Sequence, residues 1–195
     1  MPAIPLSTRL PLRTTAAWGQ FSELKAIPWV YGRVSLMPVQ YDDQRRQFVL
    51  ADHPILAITR LARDDVASAA YRWSNTQDNT GHAVALLELG EPLAENERLA
   101  VSVQGKRHPR TGELLENPAD VVWDLLANLA GIPIEAGDLE AFRGECAAWK
   151  LTVGGVVDDP TQTIRGALDN LLSSLGAVWS GGMSGWARLW PTSLS

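Results

Sequence analysis

Three pairs of adjacent aspartates are the residues of this chain best suited to acid/base or metal chemistry. Paired carboxylates can act as general acid and general base, or they can bind a divalent metal ion. Each pair lies where a turn or a helix start is expected, and aspartate side chains there accept hydrogen bonds from backbone amides. We therefore predict a structural role for the three pairs, which are Asp42-Asp43, Asp64-Asp65 and Asp158-Asp159.

The other residues that could do chemistry form no catalytic or metal-binding motif. His53, His82 and His108 are scattered, and none has a second ligand at metal-binding spacing. Residues 182–185 depart from the G-x-S-x-G nucleophile motif, and residues 105–107 lack the leading glycine and the Ser/Thr of a phosphate-binding loop. The sequence thus predicts no enzyme, no cofactor and no metal site. A small hydrolase using an aspartate pair is the least favoured function.

Composition excludes several classes of protein. Cys146 is the only cysteine, so an internal disulfide is excluded and a buried, inert thiol is expected. A net charge of −5 argues against a dedicated, sequence-specific DNA-binding protein. No apolar run approaches the roughly 18 residues that span a bilayer. Prolines interrupt residues 1–12, where a signal peptide would need a continuous apolar stretch. We expect a soluble protein that folds in the cytoplasm.

Four residues are candidates for contact with another protein. Lys106, Arg107 and Arg110 lie with His108 at a predicted hairpin tip over residues 106–112, where they could reach an acidic partner surface; a solvated tip is the alternative. Trp123 falls outside the apolar stripe of its predicted helix, and exposed tryptophans often anchor interfaces. The candidate interface residues are therefore Trp123, Lys106, Arg107 and Arg110.

The first part of the chain favours strands after an irregular beginning. Residues 1–26 lack periodicity and are predicted to form an arm that docks on something else. Short segments with strand character follow, separated by Asp-Asp, Asn or Gly turns. The predicted strands are residues 29–36, 47–50, 55–63, 66–73 and 83–89. A hairpin is predicted next, with residues 99–104 pairing back through the tip described above.

Two helices with recognisable ends follow. Asn117 before Pro118 predicts an N-cap and a first helical turn, and Gly131 ends that helix. Asp159 before Pro160 predicts the cap of a second helix that ends at Gly176. Between the helices, residues 148–157 alternate as a strand that contains Trp149. A hairpin around Gly181-Gly182 brings Trp179 near Trp186 and Trp190, and both helices are predicted to pack on this sheet.

These elements predict an α+β fold. A β-rich N-terminal half, forming a small sheet or barrel, is followed by a helix–strand–helix–hairpin layer. The predicted organisation is an arm over residues 1–26, a β-rich domain over residues 27–115 and an α+β domain over residues 116–195.

Three segments of the sequence together resemble the tail hub and tail tip proteins of tailed bacteriophages and prophages. They are Ile27-Pro28-Trp29-Val30-Tyr31-Gly32-Arg33-Val34, Asn117-Pro118-Ala119-Asp120-Val121-Val122-Trp123-Asp124-Leu125-Leu126, and the stretch from Trp149 to Asp159-Pro160. The resemblance implies a virion structural protein at the distal end of the tail tube, usually a ring of three. Its implied partners are the tube, the tape-measure protein and the baseplate. Family members are commonly much longer, so receptor recognition is not carried over.

A second class of function stays open. The chain has eight tryptophans against three tyrosines and three phenylalanines. Such a set also suits a carbohydrate- or cell-wall-binding module, which would need several tryptophans exposed on one face.

Overall fold

The computed structural model describes residues 7–18, 25–175, 177–181 and 187–191, with side chains as far as residue 177. It confirms an α+β fold with antiparallel sheets. The chain divides into two compact units. The helical unit comprises Met1–Pro11, Glu116–Val153 and Pro160–Ser195, and the sheet unit comprises Leu12–Leu115 and Gly154–Asp159.

The sheet unit contains ten strands in antiparallel pairings. Two four-stranded sheets have the orders β2-β9-β5-β6 and β3-β4-β8-β7, and β1 pairs separately with β10. The strands are β1 (Trp29–Tyr31), β2 (Arg33–Leu36), β3 (Val39–Gln40), β4 (Gln47–Ala51), β5 (Ile55–Arg63), β6 (Val66–Ala67), β7 (Tyr71–Gln77), β8 (Ala83–Leu89), β9 (Leu99–Lys106) and β10 (Gly155–Val157).

One apolar core joins the inner faces of both four-stranded sheets. Phe48 and Leu87 come from one sheet, whereas Leu61 and Val101 come from the other, and all four are buried. In β9 buried residues alternate with more exposed ones, which is the pattern of a strand with one face on a core. The predicted strands over residues 55–63 and 83–89 are confirmed with those boundaries.

Local backbone geometry explains where other predicted strands divide. Asp64 and Asp65 both have positive φ, 44° and 67°, in the two-residue turn between β5 and β6. Such turns match the twist of a hairpin, so the predicted turn at this pair is confirmed. Gly32, with φ 58°, divides the predicted strand over residues 29–36 into β1 and β2. The predicted strand over residues 66–73 is likewise two strands, β6 and β7.

Part of the predicted N-terminal arm covers the sheet β3-β4-β8-β7. Residues 12–18 and 25–27, here named the strap, lie over the face of β4 and β8 that points away from the main core. Trp18 and Ile27 pack there with Val49 and Val84, and all four are buried. The strap pairs with itself, since the Ile27 amide donates to the Arg13 carbonyl. These residues therefore cover an apolar surface of their own unit.

The helical unit begins as predicted. Helix α1 (Pro118–Trp123) starts at Asn117, whose side chain accepts a hydrogen bond from the Ala119 amide at 2.9 Å. A π-helical turn, Asp124–Leu129, continues the helix. Asp124, the first residue of this turn, is fully buried, with an exposure of 0 %. The wider π-helical turn changes which residues face inward, and Asn128 donates a hydrogen bond to the buried carboxylate.

A helix occupies much of the region where no helix was predicted. Helix α2 (Ala136–Ala148) buries Leu139, Phe142 and Cys146, which recur at helical spacing. The predicted strand over residues 148–157 is therefore wrong, and only its last residues form β10. Trp149 caps the C-terminus of α2 instead of lying in a sheet. After the helix end the chain turns through Lys150, with φ 55°, and residues 151–154 form no regular structure.

The last helix starts later than the sequence predicted. Helix α3 (Ile164–Ser174) has Thr163 as its N-cap, and the Thr163 hydroxyl accepts a hydrogen bond from the Gly166 amide at 3.0 Å. The prediction of Asp159 as the cap is wrong, because the chain forms a turn at residues 160 and 161 before the helix begins. The helix buries one apolar face, whose residues recur at helical spacing: Ile164, Ala167, Leu168 and Leu172.

The terminal hairpin and the first described residues complete the helical unit. Strands β11 (Ala177–Gly181) and β12 (Ala187–Pro191) pair antiparallel. The predicted approach of Trp179 to Trp186 and Trp190, and the predicted helix end at Gly176, lie outside the described residues and side chains. At the other end of the sequence, the Leu10 amide donates to the Gln162 carbonyl and the Ile164 amide donates to the Thr8 carbonyl.

Candidate functional site

Residues 106–112, here named the basic tip, follow β9 as a tight turn. The His108 amide donates to the Glu113 carbonyl at 2.7 Å, and the Leu115 amide donates to the Lys106 carbonyl at 2.9 Å. Arg107 and Arg110 are exposed, whereas Lys106 is half-buried with its ammonium 5.9 Å from the centre of the Tyr31 ring. The tip exists as predicted, but β9 pairs with β2 and β5 and not mainly back through the tip.

His108 belongs to the framework of this turn. It is buried, and its Nδ1 accepts hydrogen bonds from the Arg110 and Thr111 amides, both at 3.2 Å. A ring nitrogen that accepts two amides carries no proton, so Nδ1 is not a donor here. His108 thus positions the exposed arginines of the tip.

The solvent side of the sheet β2-β9-β5-β6 carries positive charge in addition to that of the tip. Arg33 and Arg60 are exposed there, with Lys106 at the sheet end, and Ser35 and Ser102 share a hydrogen bond of 2.7 Å. Register places the outward residues Ser35, Ser102 and Arg60 in one row and Arg33, Gln104 and Ala57 in the next. These residues and Lys106 are here named the basic face, and none of them is acidic. The sequence could not show it, because it gave the strands without their pairing.

Trp123 ends α1 and is half-buried. The structure thus places it neither in the core nor fully in solvent. Its role in an interface stays a prediction.

Trp149 was predicted to lie in a sheet, but it is an exposed side chain at the end of α2. Its exposure is 73 %. The Trp149 amide donates to the Glu145 carbonyl at the end of α2, and Lys150 follows with φ 55°, a left-handed conformation that terminates the helix. The indole therefore projects from a fixed helix end. Recognising residues 136–148 as a helix would have revealed this position.

Helix α2 presents small and acidic residues on the side opposite its buried residues. Gly137, Ala141, Gly144 and Ala148 recur at helical spacing and are exposed. Exposed Glu140 and Glu145 flank them on either side. We name these six residues and Trp149 the α2 outer face. Arg143, on another side of the helix, binds Asp120 of α1 at 2.5 Å and also pairs with Glu140.

A buried ionic cluster fixes the strap in the sheet unit. Arg13 binds Asp52 at 2.8 Å and pairs with Asp78. The Trp18 indole donates to Asp78 at 3.0 Å, and the Thr80 hydroxyl donates to it at 2.6 Å. Because the strap supplies Arg13 and Trp18 and the β7–β8 turn supplies Asp78 and Thr80, the cluster holds the strap against the sheet.

The pKa values of the two carboxylates in this cluster are shifted in opposite directions. Burial raises the pKa of Asp52, and the nearby Arg13 and His82 offset this only partly. Burial also opposes ionisation of Asp78, but hydrogen bonds from Thr80, Arg13 and Trp18 outweigh it and hold the pKa of Asp78 well below its usual range. The cluster explains a structural role for both aspartates.

The aspartate pairs and Cys146 can now be placed. Asp42 accepts hydrogen bonds from the Arg46 and Gln47 amides at 2.9 and 3.0 Å, so its role is structural. Asp158 and Asp159 are exposed before α3. Cys146 is buried as predicted, and burial raises the pKa of its thiol. Within the described ranges, no three His, Cys, Asp or Glu side chains converge so that they could hold a metal ion.

Comparisons of this chain with protein-family models, with curated proteins and with solved structures give no match. In the part of the chain that the structure describes, no helix is long and apolar enough to cross a bilayer. The surfaces available for a functional argument are the basic tip, the basic face and the α2 outer face.

Proposed function

We propose that the chain is a structural component of a phage or prophage tail tip or baseplate hub, acting by protein–protein assembly at the distal end of the tail tube. The observation that carries the assembly part is the 73 % exposure of Trp149 at a fixed helix end. Tryptophan is among the residues most enriched in the energetically dominant contacts of protein interfaces. Burying this indole in a partner would remove a large apolar surface from water.

The choice of a tail protein comes from the sequence resemblance. The residues that carry it shape the backbone: Gly32 turns the chain between β1 and β2, and Asn117 caps α1. These residues act on the backbone and supply no chemistry, and the third segment, Trp149 to Pro160, does not form the predicted strand and helix cap. On this proposal the β-rich half and the helix-containing layer after it build the body of a hub subunit. Its partners are tube, tape-measure and baseplate proteins in a virion tail, and a trimer is the favoured assembly.

Two measurements test this function. A tagged chain is produced with the tail-tube and baseplate proteins of the phage or prophage that carries it, and captured complexes are weighed by native mass spectrometry. Antibody labelling of virions for electron microscopy then locates the chain. We expect a stable complex and label at the distal end of the tail.

Trp149→Ala should weaken that complex about thirtyfold or more, which corresponds to roughly 2 kcal/mol for a dominant interface residue. Thr152→Ala, at an exposed position nearby, is the matched control and should bind like the wild type. Absence of the chain from virions, together with no binding to any tail protein, would remove the proposal.

The same indole makes a polysaccharide ligand the alternative function. Of the five tryptophans whose side chains the structure describes, Trp149 is exposed, Trp73 and Trp123 are half-buried, and Trp18 and Trp29 are buried. A carbohydrate-binding module would stack sugars on Trp149. Titration with host cell-wall polysaccharide, followed by tryptophan fluorescence, would detect this, and Trp149→Ala should then abolish the signal.

A further inference from the structure

Two exposed surfaces of this chain carry side chains of opposite charge. The basic face is a polar sheet surface with Arg33, Arg60 and Lys106 and with no acidic residue among its members. The α2 outer face is a helix surface with Glu140 and Glu145, and it ends at the exposed Trp149. Surfaces that attract one another in this way speed encounter and fix orientation.

We propose that the α2 outer face of one copy docks on the basic face of a second copy of this chain. The inference rests on the proposed function, because it names a contact through which the subunits of the assembly meet. Glu145, and Glu140 beside its own partner Arg143, face Arg60 and Arg33 of the neighbour. Trp149 lies against a neighbouring arginine, an arrangement favoured by the attraction of a guanidinium for an indole ring.

The glycines of α2 support a close approach from outside. A Cβ built at Gly144 meets nothing within 4 Å, and one built at Gly137 meets only a Glu135 carboxylate oxygen at 3.8 Å. Neither glycine has a positive φ that would need glycine. Glycine within a helix is less stable than alanine. Since the described fold leaves room for alanine at both positions, a partner that approaches the helix backbone explains why glycine is there.

The contact joins two different surfaces, so each associated copy still offers one of each. Such heterologous contacts build rings when the rotation closes and open chains when it does not. The basic face also suits a polyanion such as DNA, but the exposed glutamates of α2 offer it opposite charge within the same chain. A second copy is therefore the occupant we propose.

Exchanged charges provide the test. One variant carries Arg33→Glu and Arg60→Glu, and the other carries Glu140→Lys and Glu145→Lys, with circular dichroism confirming that both fold. We expect the wild type to oligomerise at micromolar concentration in native mass spectrometry. Each variant alone should be at least tenfold weaker in self-association because its two surfaces now repel. An equimolar mixture should associate again, because each variant's altered surface matches that of the other.

A second variant separates docking from folding. Gly144→Leu should leave the monomer folded, with an unchanged or higher unfolding midpoint, and should block self-association. Its control is Ala83→Leu, at an exposed position on β8 of the other four-stranded sheet.

Several results would overturn the inference. They are a wild type that stays monomeric, charge variants that associate like the wild type, and a mixture that fails to restore association. A monomeric wild type that binds duplex DNA through Arg33 and Arg60 would assign the basic face to nucleic acid. Binding of the monomeric chain to tail proteins would leave the proposed function standing while this contact is rejected.

Discussion

Aspartates in this chain serve the backbone in different ways. Asp42 accepts two amides of its own turn, and Asp64 and Asp65 supply the positive φ angles of a hairpin. These roles were predictable, because aspartate both tolerates left-handed backbone and accepts nearby amides. Asp78 was not predictable as the centre of an ionic cluster. Its partners Arg13 and Trp18 are distant in sequence, and only the path of the strap brings them together.

Glu97 gives a prediction about acid stability. Arg63 donates to both of its carboxylate oxygens, at 2.5 and 2.6 Å, and these hydrogen bonds, together with one from the Ala94 amide, lower the pKa of Glu97 to about 2 from an ordinary 4.5. A carboxyl whose pKa is lower when folded stabilises the protein above its unfolded pKa. The stabilisation is lost as the pH falls towards the folded value.

The measurement compares urea unfolding of the wild type and Glu97→Gln from pH 7 to pH 2. The wild type should be more stable by a constant amount above about pH 5. The difference should shrink between about pH 4.5 and pH 2, where Glu97 is protonated in the unfolded chain but still ionised in the folded protein. A difference that does not vary with pH would show that this ion pair does not contribute through its charge.

At the level of elements, strands were predicted better than helix boundaries. Residues 55–63 and 83–89 were identified because each is a short segment rich in apolar residues and bounded by turn residues. The α2 helix was missed because its buried residues are few and its outer side is made of small residues, so no apolar stripe stands out. The exposed Trp149 was missed with it. The candidate residues at the basic tip were found from charge alone, whereas the basic face required knowledge of strand register.

The start of α3 gives a second prediction. Thr163 accepts the Gly166 amide, so Thr163→Ala should lower the free energy of unfolding by about 0.5–2 kcal/mol. Asp159→Ala should cost less, because Asp159 lies before the turn that precedes the helix. Chemical unfolding of the two variants beside the wild type makes the comparison. A larger loss at Asp159 than at Thr163 would mean that the helix begins where the sequence first indicated.

At the level of the whole molecule, the two units are not consecutive in sequence. The sheet unit includes Gly154–Asp159, a segment that lies between parts of the helical unit. This segment provides β10, the strand that pairs with β1. Sequence analysis divided the chain at residue 115, since composition changes there, and composition carries no information about a short strand returning from a later segment.

A fragment experiment follows from this interleaving. Residues 12–115 alone lack β10, so the buried residues of β1, Trp29 to Tyr31, lose their strand partner. The same fragment followed by a short Gly-Ser linker and residues 154–159 restores it. The second fragment should be more stable by about 1 kcal/mol or more, which raises the midpoint of thermal unfolding by roughly 4–8 °C for a domain of this size.

A short linker suffices because the Val153 amide donates to the Glu116 carbonyl, which brings the two ends together. A scrambled version of residues 154–159 is the control. Equal unfolding midpoints for all three fragments would show that β10 adds nothing to the sheet unit.

The hydrogen bonds between residues 8–10 and residues 162–164 have a consequence for synthesis on the ribosome. Thr8 and Leu10 are synthesised about 150 residues before their partners Ile164 and Gln162. At about 5–20 residues per second, the early segment waits roughly ten seconds or longer before it can pair. The sheet unit likewise lacks β10 for most of this time. Each unit can therefore be completed only after these later segments have been made, and a nascent chain that stalls before residue 154 leaves both unfinished.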